Sequence, residues 1–137
     1  VVDMEKLGRH TITIDCDVIQ ADGGTRCASI TGGYVALVLA VRKLMDAGRV
    51  NENPIRDYVA AVSAGLWNGE LILDLEFEED CAAEMDSNFV VAGNGDFVEI
   101  QATGEQHPFN HDQIEKLMDM ARGGCAKLIE LQKKVLE

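Results

Sequence analysis

The run Gln20-Ala21-Asp22-Gly23-Gly24-Thr25-Arg26 constrains the fold of this 137-residue chain most, because the hydrophobic period changes across it. Before it, Ile12, Ile14, Cys16 and Val18 alternate with Thr11, Thr13, Asp15 and Asp17, which predicts a strand over 11–19 with its apolar set facing a core. After it, Ile30, Tyr34, Leu37, Val38, Val41, Leu44 and Met45 recur at helical spacing, which predicts a helix from Thr25 to Ala47 closed at Gly48. A strand, a glycine turn and a helix start together make an anion site. Amides of the turn and the first helical turn converge on the ligand, and Arg26 adds a charge-assisted fork of donors.

The rest of the chain follows from turn and cap signals. Asn53-Pro54 predicts the start of a short helical turn, since proline is accepted in the first helical position. Two strands, Tyr58 to Leu66 and Glu70 to Phe77, flank Trp67-Asn68-Gly69, an antiparallel hairpin signal. A second hairpin joins Asn88–Ala92 to Phe97–Ala102 around Gly93-Asn94-Gly95-Asp96. Asn110 caps a final helix, Asp112 suits its positive end, and Ile114, Leu117, Met118, Ala121, Cys125 and Leu128 form its buried stripe. One strand, one long helix, four more strands and one helix predict a two-layer α+β fold as a single domain over residues 1–137, rather than a doubly wound sheet.

Charge narrows the partners. With 24 acidic against 12 basic residues the formal net charge is −12, which opposes nonspecific attachment to nucleic acid or an anionic membrane. Any RNA contact must be local, or must use basic surface supplied by another polypeptide. The cysteines at 16, 27, 81 and 125 form no CxxC pair, which predicts reduced thiols in a cytoplasmic protein. The longest apolar stretch meets Arg42 and Lys43 before it is long enough for a bilayer, so no membrane partner is expected. The chain opens on Val1-Val2-Asp3, so a processed or partial polypeptide is expected.

Among candidate site residues, Asp80 and Asp86 bracket a short acidic stretch; spacing alone makes them surface or capping acids. Phosphate donors in one place and carboxylates in another point toward phosphoryl chemistry. Asp15, Asp17 and Asp22 lack EF-hand spacing, and His10, His107 and His111 lack metal-ligand spacing. Tyr34 and Trp67 are open to two readings, stacking on bases or packing in a core or interface. Cys27, at a helix start beside Arg26, reads as a buried thiol more simply than as an activated one.

The string from Asp15 through Ser29, with Asn68-Gly69-Glu70, Glu79-Asp80, Asp86, Phe97-Val98-Glu99-Ile100-Gln101 and Pro108-Phe109, resembles the ribonuclease PH family of phosphorolytic 3′-to-5′ exoribonucleases. The resemblance covers essentially the whole chain and matches the second half of a subunit about twice as long. It departs at Cys81, where the family has serine, and at Ala102-Thr103-Gly104-Glu105-Gln106, where the glycine falls elsewhere. The resemblance implies a ribosomal protein S5 domain 2-like fold and a hexameric ring. It implies a phosphate site at Gly24, Thr25 and Arg26, with Arg26, Asp80 and Asp86 catalytic and Asp80 and Asp86 also the carboxylates for Mg2+. The implied reaction is attack by inorganic phosphate on the 3′-terminal linkage of transfer RNA, and of ribosomal RNA precursors, releasing nucleoside diphosphates. Its implied partners are RNA, a complementary first-half polypeptide and further copies in the ring. A catalytically silent ring subunit or RNA-binding scaffold, an isolated inactive fragment, and a metabolite phosphotransferase are the competing readings.

Overall fold

Asn68 and Gly69 both take positive φ, 51° and 76°, the backbone that two-residue hairpin turns require. The computed structural model describes all 137 residues. Its elements in chain order are α1 (Met4–Leu7), α2 (Thr25–Asp46), β1 (Val59–Trp67), β2 (Glu70–Leu73), α3 (Phe77–Ala82), β3 (Met85–Ala92), β4 (Phe97–Gly104) and α4 (His111–Leu136). The sheet is antiparallel throughout with order β2-β1-β3-β4. The α+β class and both hairpins therefore follow the sequence reading.

Helix α4 covers one sheet face. Asn110 accepts from the Gln113 amide while the Gln113 side chain accepts from Asn110, a reciprocal cap worth about 1 kcal/mol. Leu117, Ala121, Cys125 and Ile129 from α4 pack with Ala60, Val62, Phe89 and Val91 in the main core. Helix α2 lies against the other face, where Cys27 meets Ala61 and Val90. By length and composition α2 could cross a bilayer despite Arg42 and Lys43, but here Cys27, Gly33, Tyr34, Val38 and Val41 are buried within the fold. Tyr34 is thus a core residue, its ring 5.3 Å from that of Tyr58. The two helices meet beside the part of β1 that β2 leaves unpaired. There the Thr31 hydroxyl bonds both the amide and the carbonyl of Ala61, and the Gln132 amide donates to Thr31 O and Val59 O at 2.9 Å each.

Pairing slips by one residue between Val90 and Val91, so that Val90 faces Glu99 but Val91 faces Phe97. Val98 is the extra residue of this bulge. Phe97 packs on the α4 side, against Phe89 and beneath the Arg122 guanidinium, whereas Glu99 reaches toward α2.

Three local readings are corrected. Residues 11–19 pair with no strand; their alternation is real, but pleating needs a neighbouring strand, and instead Ile14 and Cys16 lie against Gly33 of α2. Ile19 is 97% exposed. Pro54 starts no helix; its carbonyl accepts from Asp3 and Ile55 bridges Val2. The strand expected to reach Phe77 stops at Leu73, because Asp74 turns the chain at φ 64°. Helix α3 then forms on a capping box between Glu76 and Glu79, and α1 is likewise unforeseen, capped by Asp3.

Candidate functional site

The first turn of α2 has no side-chain cap and no acidic residue, so its amides remain available to an anion. Gly24, the N-cap, is left-handed at φ 58°. Gly23, at φ 81°, runs so close to the Leu75 carbonyl and Glu76 backbone that no β-carbon fits. Beneath Gly24, a space the size of one β-carbon touches Ser63 Oγ and Asp74 Oδ1. Ser63 is buried and its hydroxyl has no hydrogen-bond partner.

Register carries this site across the sheet. On β3, Val90, Asn88 and Asp86 point to the α2 side, opposite Ala61, Ser63 and Gly65 on β1 and Glu99, Gln101 and Thr103 on β4. The Cys27 thiol donates to Asn88 Oδ1 at 2.9 Å, and Arg26 Nη2 donates to both Glu99 oxygens at 2.8 and 2.9 Å. Asp86 therefore stands one pleat, about 7 Å, along β3 from the residue beneath α2's first turn. Gly65 opposite it leaves room for the Leu75 side chain to close over the sheet.

Burial beneath that cover pushes the Asp86 carboxyl up from its ordinary pKa, and the charges of Glu105 and then Asp80 push it the same way. Asp86 Oδ1 is buried without a partner. Asp80 is exposed on α3, near enough for its charge to act on Asp86. Gly24, Thr25, Arg26 and Asp86 thus share one sheet face, with Asp80 at its margin. Cys27 is the buried thiol expected, pushed up to about 11 chiefly by burial. The three histidines join no cluster of metal-ligating groups.

Sequence reasoning passed over Ser63, Asp74, Asn88, Glu99 and Glu105. Ser63 and Asn88 lie on strands expected from the sequence, but they become cross-strand partners only through the pairing of one hairpin with the other, which neither turn fixes. Glu99 was hidden by the bulge, which puts it on the face opposite Phe97 although the two are two residues apart.

A family profile described as the 3′ exoribonuclease family, domain 2, matches residues 57–124. Ribonuclease PH of Bacillus pumilus is 55% identical over 136 residues, which cover 98% of this chain and 56% of that protein. The chain belongs to the ribonuclease PH family. It spans little more than half the length of this curated relative and corresponds to the second half. Rice Rrp46 shares the fold at a TM-score of 0.64 and 17% identity, over 86% of this chain and 50% of that one. An Archaeoglobus fulgidus exosome with RNA bound to its active site superposes at 0.61 and 18% identity, over 82% and 44%. These likenesses show the α+β fold of ribonuclease PH-like proteins.

Proposed function

We propose that this chain is the phosphate-binding and acid-bearing half of a phosphate-dependent 3′-to-5′ exoribonuclease that trims transfer and ribosomal RNA ends in the cytoplasm. The observation that carries the reading is the single sheet face shared by an uncapped helix start, one arginine and a half-buried carboxyl whose pKa is raised. Arg26 and the Gly24 and Thr25 amides hold inorganic phosphate and offset charge as two anions approach. A phosphate oxygen attacks the terminal phosphorus, the bond to the ribose 3′ oxygen breaks, and that oxygen takes its proton from Asp86. The products are a nucleoside diphosphate and an RNA shorter by one nucleotide. Burial raises the Asp86 pKa in the direction this role needs, because a general acid works better as its pKa approaches the operating pH.

Asp80 is the carboxylate a Mg2+ would use while Asp86 holds its proton, and Asp86 would join it as a ligand only once ionised, with water and substrate phosphate supplying the remaining oxygens, since no third ligating side chain joins the pair. That ion would supply charge neutralisation between the two phosphates.

The partners belong to the same proposal. A net charge of −12 supplies no broad surface for RNA, so a complementary half and ring neighbours provide basic groups. Free thiols on all four cysteines fit a reducing cytoplasm. Incubation with the complementary half, inorganic phosphate and RNA carrying an extended 3′ end tests the reading. Phosphate-dependent release of nucleoside diphosphates, lost in Arg26→Ala and reduced in Asp86→Asn, is expected. RNA binding with no diphosphate product would leave a silent ring scaffold in its place.

A further inference from the structure

The contact between Arg26 and Glu99 blocks the arginine in a way its exposure conceals. A guanidinium offers two edges for two-point binding, one formed by Nε and Nη2 and the other by Nη2 and Nη1; the third side is closed by its own side chain. Nη2 is the corner both edges share. Both Glu99 oxygens lie on this atom, at 2.8 and 2.9 Å, so the carboxylate sits at the corner that both forks need and contests each of them with a phosphate. The partners are about equally exposed, 46% and 43% at the side chain. An exposed pair of this kind is weak and readily exchanged.

We propose that Glu99 is an internal competitor for the phosphate site: it occupies Arg26 in the unliganded protein, and an incoming phosphate must displace it to gain a two-point grip. The inference rests on the reading of Gly24, Thr25 and Arg26 as that site. It assigns Glu99 a part in setting phosphate affinity. The bulge at Val98 is what directs Glu99 toward α2, so the contact is built into the sheet.

Titration of the chain with inorganic phosphate, followed by calorimetry or by phosphorus NMR, tests this. Glu99→Gln removes the charge, and Glu99→Asp keeps the charge on a side chain one methylene shorter. Both should bind phosphate more tightly than wild type, by about fivefold for Gln, the scale of an exposed pair. Arg26→Ala should lose binding. Unchanged or weaker binding in Glu99→Gln, with Arg26→Ala still impaired, overturns the competition and leaves the site standing. A gain in Gln but none in Asp also overturns it, because a general field and not the contact would then be responsible. If Arg26→Ala binds as wild type does, or no variant binds, the phosphate site itself fails. Melting curves confirm that each variant is folded.

Discussion

Replacing Gly23 by alanine should destabilise the protein far more than replacing its neighbour Gly24, although both have positive φ, 81° and 58°. A methyl at 23 would overlap the Leu75 carbonyl oxygen and lie 2.9 Å from the Glu76 carbonyl carbon and 3.0 Å from its Cα. All of these are backbone atoms, and Glu76 caps α3. Relief therefore requires shifting the link between β2 and α3 or lifting the start of α2. Positive φ costs alanine about 1–2 kcal/mol, and forced overpacking adds to it, so the total is about 2–5 kcal/mol. At Gly24 the new β-carbon meets Ser63 Oγ at 3.5 Å and Asp74 Oδ1 at 3.8 Å, ordinary contact. Gly24→Ala therefore carries only the conformational part, about 1–2 kcal/mol. With a urea slope of about 2 kcal/mol per molar, Gly23→Ala should lower the unfolding midpoint by about 1–2.5 M and Gly24→Ala by less than about 1 M. Phosphate titration should show a different effect at Gly24, because its methyl fills the space beside the unpaired Ser63 hydroxyl: the variant stays folded and binds phosphate more weakly. Equal midpoints for the two variants would refute the close approach of the glycine turn to α3.

Asp86→Asn should alter the dependence of stability on pH. The native pKa is raised, so wild type has its full contribution from Asp86 below the unfolded aspartate value and loses it as pH rises through the native value. The asparagine variant lacks that loss, so its stability relative to wild type should increase from acid toward neutral pH in urea melts. Phe89→Ala, at a fully buried position between α4 and the sheet, should cost about 3–5 kcal/mol in thermal or urea unfolding. A thiol reagent at pH 8 should modify the exposed Cys16 and Cys81 in the native protein. Cys27 and Cys125, each pushed up to about 11 and buried, should react only after denaturation.

Elements with local signals were legible from the sequence. The start of α2, the Asn68-Gly69 turn and the Asn110 cap each rest on a few adjacent residues whose chemistry admits few backbones. What failed depended on a partner or on a turn without a marker. Residues 11–19 alternate correctly, but alternation does not say whether a strand lies alongside. Asp74 turns the chain at positive φ where no glycine announces it, so β2 was extended through residues that begin α3. Arg26, Asp80 and Asp86 could be named through family resemblance, while spacing gave no hint that the sheet brings Asp86 to the face that α2's first turn covers. The unpaired Ser63 hydroxyl and the Glu99 contact are products of register, which no local window contains.

The extra residue at Val98 separates two demands that an ordinary strand would tie together. Residues two apart in a regular strand share a face, so a side chain that anchors the sheet to α4 and one that meets Arg26 could not stand at Phe97 and Glu99 at once. The bulge acts as a half-step in phase: before it the strand serves packing, and after it the odd positions serve the charged face. Pairing this segment as a regular strand, with Val98 taken into the ladder, would force a choice, either an aromatic ring turned away from Phe89 or a carboxylate turned into the core. Substitutions on either side of the half-step can therefore vary independently, the anchor with the helix it grips and the acid with the ligand it opposes.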